Sequence, residues 1–332
     1  MPLPRAEQIA GPSSPDNVHL LESFARDVER GLGDSPKHLD CRFFYDYEGS
    51  LLFEEICGLP EYYQTKTEMQ ILESGADEII GGLSEDVVLV ELGSGSSVKT
   101  TVIIEALIAR HGRASYTPID ISRSMLEESA ALLRKKYCGL EIVSIAAEYR
   151  AGLKQLRNFD KRPELILWLG SSIGNFERGA AVEFLKDITA GLSPRDRLLI
   201  GFDLVKDTEV LKAAYNDSRG VTAAFNLNLL VRINRELGGS FDIDAFEHIA
   251  EYNTEKERIE MYLVSVKDQD VRIENIDDTF HFDESERIHT ENSHKYTHEV
   301  IEEIANESGL HIIRQWQDPK RMFNLTLFAP TK

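Results

Sequence analysis

The feature that most constrains the fold is an apolar run that stops at an acidic residue and then passes through two glycines. The run, VVLVEL, covers residues 87–92, and Gly93 and Gly95 follow it closely. An apolar run of this length, rich in β-branched residues and bounded by turn residues, is typical of a fully buried strand. The glycines let the backbone bend sharply and approach a ligand closely. We therefore expect a strand, a turn and a helix, an arrangement that binds nucleotide-like ligands in open α/β sheets.

Strands and helices alternate after this turn, as in a parallel sheet with helical crossovers. Strand patterns follow at residues 114–119, 141–146, 164–169 and 197–202. Helical patterns separate them, at residues 99–108, 122–137 and 178–192. The first two thirds of the chain therefore predict a parallel sheet.

The pattern changes after residue 204. The remaining segments are a helical part at 208–237, a segment at 241–253, strand-like runs at 258–266 and 271–274, a helix at 293–308, and final strands at 311–316 and 323–329. We interpret the two strand-like runs as a hairpin with a polar turn between them. An inserted module thus separates the fifth strand from the last helix and strands. We predict a sheet domain at 67–205 and 293–332, and a substrate-binding domain at 18–66 and 206–292.

The N-terminal segment and the composition exclude several classes of protein. Residues 1–17 hold prolines and a glycine without an apolar core segment, which predicts a flexible leader rather than a signal peptide or a membrane span. The formal charge of −20 repels phosphate backbones and anionic lipids, so we expect neither nucleic acid nor a membrane as a partner. Three scattered cysteines suit neither a disulfide framework nor a thiolate metal site, which fits a cytoplasmic protein. We expect a monomer.

The glycine turn lacks a feature that dinucleotide-binding turns require. Such a turn has a third glycine at the sixth position of its motif, where this chain has Val98. Glu91, two residues before the first glycine, would repel a pyrophosphate and attract a cation. Asp120, at the end of the second strand, can bind a ribose diol, although alone it fits a cap for the next helix nearly as well. These features favour S-adenosylmethionine, on a Rossmann-like class I methyltransferase sheet with an inserted α+β substrate-binding domain.

Several longer motifs resemble the histidine-specific, S-adenosylmethionine-dependent methyltransferases of ergothioneine biosynthesis. They are LPEYY at 59–63, ELGSGSSVKT at 91–100, LGSSIGN at 169–175, DLVKD at 203–207, GVTAAFN at 220–226, FDIDAFEH at 241–248, RIEM at 258–261 and TENS at 290–293. The resemblance runs from about residue 20 to the C-terminus. It implies transfer of three methyl groups in turn to the α-amino nitrogen of L-histidine, which yields hercynine.

The resemblance also implies which residues hold the cofactor. Gly93, Lys99 and Asp120 match residues that contact S-adenosylmethionine, with Asp120 on the ribose. Glu148 and Tyr149 fall where the family usually has aspartate and phenylalanine beside the adenine. The charge is kept at Glu148, but the longer side chain must pull back from the ring.

A second group of residues matches those that hold the backbone of the amino acid. Tyr62 and Tyr215 match hydroxyl donors to the α-carboxylate, and Asn175 matches the residue that orients the α-amino group. We assign the catalytic role to Asn175 and Tyr62. The methyl of a sulfonium is already activated, so the protein must mainly hold a neutral amine in line with the sulfur–methyl bond and exclude water. No nucleophile or metal is needed.

A third group matches residues around the substrate ring. Glu291 and Ser293 match the pair that holds the imidazole, and Met261 matches a residue packed near it. An imidazole edge has an N–H that a carboxylate can accept and a ring nitrogen that a hydroxyl can satisfy. Without the resemblance, the same pair would fit a cap at the start of the following helix equally well. The expected ligands are L-histidine and its mono- and dimethylated intermediates.

Two other functions stay open from the sequence. Relatives of this family in fungal ergot alkaloid synthesis methylate a prenylated tryptophan, so another amino acid could be the substrate. In a different class, His289, Glu291, His294 and His298 could hold a metal for hydrolysis or binding, with the last two histidines on one helix face. The HExxH order typical of zinc proteases is absent.

Overall fold

The computed structural model describes residues 15–84 and 86–331. The strands are β1 (Val88–Leu92), β2 (Ala114–Asp120), β3 (Leu140–Ile142), β4 (Ile145–Ala146), β5 (Glu164–Trp168), β6 (Arg197–Asp203), β7 (Phe246–Asn253), β8 (Arg258–Ser265), β9 (Gln269–Ile273), β10 (Asp278–Phe282), β11 (Arg287–His294), β12 (Leu310–Gln317) and β13 (Phe323–Pro330). The α-helices are α1 (Pro15–Gly33), α2 (Tyr47–Cys57), α3 (Tyr63–Gly81), α4 (Thr101–His111), α5 (Arg123–Lys136), α6 (Tyr149–Phe159), α7 (Arg178–Ala190), α8 (Thr208–Tyr215), α9 (Val221–Leu237) and α10 (His298–Glu307).

The largest sheet has the strand order β12-β13-β6-β5-β1-β2-β3, and β4 also pairs with β2. Its strands are parallel except for β13, which runs antiparallel to both β6 and β12. All five residues of β1 are buried, as the apolar run predicts. Since β1 pairs in parallel with both β5 and β2, the carboxyl ends of these three strands lie side by side. The predicted α/β class with a parallel central sheet is confirmed, although the strand expected at 141–146 forms as two short strands.

The inserted region contains two smaller sheets. One has the order β11-β8-β7 and the other pairs β9 with β10. The predicted hairpin between the runs at 258–266 and 271–274 is therefore wrong. Both edges of β8 pair with eight-residue strands, which leaves no edge for β9. A hydrophobic cluster joins buried residues between 24 and 62 to others between 211 and 288.

Helix boundaries differ from expectation at several places. The predicted helix at 293–308 begins only at α10, because the residues up to His294 pair with β8, and Thr297 caps α10. The helical part at 208–237 is two helices, separated where the Asp217 carboxylate accepts hydrogen bonds from the backbone N–H groups of Val221 and Thr222. Residues 1–14 of the predicted leader lie outside the described residues, and residues 15–17 are helical. No helix in the described ranges is long and apolar enough to cross a membrane.

Gly201 in β6 provides a test of packing between the sheet and α3. A Cβ on Gly201 would lie 2.2 Å from Oε1 of Glu68, and Glu68 is fully buried and held by Lys99. We expect Gly201→Ala to lower the free energy of unfolding by about 3 kcal/mol, because neither the strand nor the carboxylate can move away freely. Gly179→Ala in α7, where the added methyl meets no atom within 4 Å, should change it by less than about 1 kcal/mol. Urea denaturation measures both, and equal stabilities would contradict this packing.

Candidate active site

A cavity lies where the large sheet meets the inserted region. It encloses about 490 Å³ of space, its open mouth included. All six residues predicted to bind the amino acid line it: Tyr62, Asn175, Tyr215, Met261, Glu291 and Ser293. The structure therefore brings together residues that are up to 231 positions apart in the sequence.

Strand β11 places Glu291 and Ser293 in this wall. The register of β11 against β8 shifts between His289 and Glu291, and Glu291 lies opposite Met261. Such a bulge redirects the side chains that follow it. Glu291 and Ser293 are two positions apart on a strand, so both side chains lie on one face of the sheet. The alternative in which they cap a helix is wrong, since both precede α10 by several residues.

The turn after β5 places Asn175. Gly170 and Ser171 both have positive φ, which turns the chain sharply at the end of the strand. A short 3₁₀ turn then leads to Asn175. Gly174 packs against β11, since a Cβ there would lie 2.9 Å from the carbonyl oxygen of His294. The loop of the large sheet and the strand that carries Glu291 are thus in direct contact.

Aromatic side chains form another wall of the cavity. Tyr45, Phe53 and Phe225 line it, and the ring of Tyr62 lies edge-on to the ring of Phe53 at 6.2 Å between centroids. Burial raises the pKa of the Tyr62 phenol well above its usual value. The phenol therefore keeps its proton and can donate a hydrogen bond.

Behind the cavity wall lies a buried polar network that the sequence did not predict. The Lys295 ammonium donates to Tyr215 Oη at 3.0 Å, to Ser293 Oγ at 2.8 Å and to Asp203 Oδ2 at 2.9 Å. Gln64 Nε2 donates to the same Asp203 oxygen at 2.7 Å and to Tyr215 Oη at 2.9 Å. Burial alone would raise the pKa of Asp203, but the charges of Lys295 and its neighbour Lys206 lower it. Lys295 follows the last residue of β11, and its i, i+2 spacing from Ser293 was a sequence signal that both side chains lie on one face of an extended segment.

The Glu291 carboxylate faces the cavity without a hydrogen-bond donor among the described residues. Burial raises its pKa to about 7, and the charge of Lys295 opposes the shift. A partly buried carboxylate without donors is unfavourable in the absence of a ligand. The position is therefore suited to a ligand that brings its own N–H group.

We expect the ligand-free protein to be stabilised by Glu291→Gln at alkaline pH. Because the folded-state pKa of about 7 exceeds the ordinary value of 4.5, the charged form is penalised by folding. The penalty is absent below pH 4.5, grows as pH rises, and is complete above about pH 7. The variant should exceed the wild type by about 3 kcal/mol at pH 8 and by much less at pH 5. Urea denaturation at the two pH values measures this, and a gain that is larger at pH 5 would contradict it.

The glycine turn after β1 lies beside the carboxyl end of β2. The Asp120 carboxylate accepts hydrogen bonds from the backbone N–H groups of Gly95 at 3.0 Å and Ser122 at 2.9 Å. It therefore holds both the turn and the start of α5, and it retains lone pairs for a ligand. Gly93 has a φ of +72°, and a Cβ on it would lie 2.6 Å from the Tyr149 hydroxyl. Gly93, Asp120 and Tyr149 therefore surround one turn, outside the amino-acid cavity.

Three other residues predicted for the cofactor site are paired with groups of the protein itself. Lys99 pairs with the buried Glu68, which also accepts the backbone N–H of Gly170. The Glu148 side chain is 66% exposed and pairs with Arg42, so its carboxylate lies at the protein surface. The Glu91 carboxylate, expected to attract a cation, accepts hydrogen bonds from Thr100 and Tyr116.

The alternative metal site is not assembled in the described part of the chain. No group of three or more potential ligands lies together there. His294 ends β11 and His298 begins α10, so the two do not share a helix face as the spacing suggested.

Comparisons with known proteins test the predicted family. A family model described as histidine-specific methyltransferase, SAM-dependent, matches residues 24–330. The histidine N-alpha-methyltransferase of Mycolicibacterium smegmatis is 42% identical over 92% of this chain and 94% of its own. Ergothioneine biosynthesis protein 1 of Neurospora crassa is 34% identical over 85% of this chain and 32% of its own. The 4-dimethylallyltryptophan N-methyltransferase of Arthroderma benhamiae is 27% identical over 89% and 90%. The predicted family is thereby confirmed.

Proposed function

This chain belongs to the histidine-specific, S-adenosylmethionine-dependent methyltransferases, and we propose on that premise that it trimethylates the α-amino nitrogen of L-histidine to give hercynine. The observation that carries the substrate assignment is the single cavity lined by Tyr62, Asn175, Tyr215, Glu291 and Ser293. It combines hydroxyls for a carboxylate, an amide for an amine, and a carboxylate beside a hydroxyl for an imidazole. The relatives named for ergothioneine biosynthesis support a place for the product in that pathway.

The residues around the glycine turn fit S-adenosylmethionine. Gly93 leaves a space beside Tyr149 that a side chain would fill. Ser94 Oγ is buried and has no hydrogen-bond partner among the described residues, which suits a ligand with polar groups. Asp120 can accept both hydroxyls of a ribose through its remaining lone pairs. When bound, the cofactor supplies a methyl group activated by a positively charged sulfur. We infer that Gly93, Asp120 and Tyr149 hold its nucleoside part and Lys99 its amino-acid part.

The cavity residues have to orient the substrate amine and exclude water from it. Tyr62 and Tyr215 donate to the α-carboxylate, which anchors the end of the substrate that carries the amine. Asn175 orients the amine lone pair from the turn after β5, at the carboxyl edge of the sheet that also carries the glycine turn. The aromatic wall excludes water, which would otherwise compete for these hydrogen bonds. Mono- and dimethylated histidine keep the carboxylate and the ring, so the same residues hold them for the later transfers.

We also propose that residues 18–66 and 206–292 act as the substrate-binding domain. The hydrophobic cluster that spans residues 24–62 and 211–288 supports this division. The boundary at residue 293 falls within β11, so the strand that carries Glu291 and Ser293 would join the two domains.

Calorimetry with S-adenosylhomocysteine present tests the substrate assignment. We expect L-histidine and hercynine to bind, and L-tryptophan to bind at least about 100-fold more weakly, because an indole has no ring acceptor for Ser293. Binding of tryptophan without binding of histidine would overturn the substrate and leave the methyltransferase class intact.

A further inference from the structure

The three N–H groups of Lys295 are all engaged. Its side chain is 0% exposed, and it donates to Asp203, Ser293 and Tyr215 at 2.8–3.0 Å. Asp203 is equally buried and pairs with it. A buried ammonium with three partners of this kind cannot reorient without losing a hydrogen bond. Lys295 therefore acts as a fixed donor.

The amide of Gln64 is fixed in the same way. Its neighbour Asp203 is a carboxylate that only accepts hydrogen bonds, so the amide nitrogen must face it. The second N–H of that nitrogen then points to Tyr215 Oη at 2.9 Å. The tyrosine oxygen thus receives two hydrogen bonds, one from Gln64 and one from Lys295, and both of its lone pairs are filled.

The direction of the hydrogen bond between Tyr215 and Ser293 follows, because both lone pairs of the Tyr215 oxygen are occupied. Their oxygens are 2.7 Å apart, and the Ser293 oxygen has no other partner besides Lys295 in the described part of the chain. Ser293 cannot donate to Tyr215, because the tyrosine oxygen has no free lone pair. The Tyr215 hydroxyl therefore donates its hydrogen bond either to Ser293 or to a ligand in the cavity. In both cases the Ser293 proton points into the cavity that it lines.

We propose that Lys295 is a positioning residue that makes Ser293 a hydrogen-bond donor and thereby selects a substrate ring with an unprotonated nitrogen. This inference rests on the proposed function. Ser293 donates to one nitrogen of the substrate ring, and Glu291 accepts the N–H of the other nitrogen. Ser293 and Glu291 together therefore bind one tautomer of a neutral imidazole. An indole, which has an N–H and no ring acceptor, leaves the Ser293 proton without a partner, and such a mismatch is strongly discriminating.

Two pyrrole analogues of histidine test the proposal. Each keeps one ring nitrogen as N–H and has C–H in place of the other, so each lacks the acceptor. We expect the wild type to favour histidine over the better pyrrole by about 100-fold in kcat/KM. Lys295→Met should reduce this ratio at least about 10-fold, because Ser293 can then donate to Tyr215. Lys206→Met is the matched control. Lys206 also pairs with Asp203, but it contacts neither the Ser293 hydroxyl nor the Tyr215 hydroxyl. Its ratio should stay at the wild-type value.

Lys295→Met leaves the Asp203 carboxylate with one donor fewer. The double variant Asp203→Asn/Lys295→Met, which also removes that carboxylate's charge, is therefore assayed beside it. A reduced ratio in either folded variant supports the proposal. An unchanged ratio in both, with only an overall loss of rate, overturns it. Failure of both to fold while Lys206→Met folds would mean that Lys295 is only structural, and also overturns it. Absence of histidine methylation by the wild type would instead refute the proposed function.

Discussion

Glu291→Ala is expected to raise the KM for L-histidine by about 100-fold and to change kcat much less. The variant removes the carboxylate that accepts the ring N–H and leaves that N–H buried without a partner, which costs about 2–4 kcal/mol. The α-carboxylate and the amine are held by other residues, so the amine still reaches its position when histidine saturates the site. Initial-rate kinetics with histidine varied at saturating S-adenosylmethionine measures both constants.

Glu251→Ala is the matched control for this prediction. Glu251 belongs to the same three-stranded sheet, but its side chain is about half exposed and pairs with Arg287. Its loss should leave the histidine KM within about twofold, as expected for an exposed ion pair. A histidine KM that is unchanged in Glu291→Ala would remove Glu291 from the imidazole site.

Asp120→Ala is expected to raise the KM for S-adenosylmethionine by about 100-fold. The change removes a charged acceptor for two ribose hydroxyls, each hydrogen bond being worth about 1.5 kcal/mol or more. It also frees the backbone N–H groups of Gly95 and Ser122, so the turn is held less firmly. The histidine KM should change much less, because Asp120 does not line the amino-acid cavity.

A loss of helix capping could imitate part of that effect, and Asp207→Ala controls for it. Asp207 caps α8 by accepting from the backbone N–H groups of Glu209 and Val210, away from the glycine turn. We expect it to lose about 1 kcal/mol of stability and to keep the cofactor KM of the wild type. Equal cofactor KM values for Asp120→Ala and Asp207→Ala would show that Asp120 acts only as a cap.

The sequence was sufficient for the large sheet because its signals are local. Each apolar run of the sheet is bounded by its own turn residues. Gly93 comes directly after β1, and Asp120 is the last residue of β2. In the inserted region the signals are weaker, since β8 pairs not only with the preceding β7 but also with β11, across the intervening strands β9 and β10. The run at 258–266 was correctly seen as a strand, but its partners could not be read from its own residues.

The candidate site likewise has a part that the sequence predicted and a part that it did not. The motifs named residues of the cavity wall, and the structure brings those residues together. The polar network behind the wall was missed, because Gln64, Asp203 and Lys295 become neighbours only after α3, β6 and the end of β11 have packed. The Glu148 side chain pairs with Arg42, a residue 106 positions away, so this ion pair could not be predicted from the residues around Glu148.

Product analysis tests whether the protein trimethylates the α-amino nitrogen of L-histidine. The protein is incubated with L-histidine and S-adenosylmethionine carrying a ¹³C-labelled methyl group, and the product is analysed by mass spectrometry and NMR. We expect three labelled methyl groups per histidine, all on the α-amino nitrogen. Methylation of a ring nitrogen, or no histidine product under conditions in which another amino acid is methylated, would contradict it.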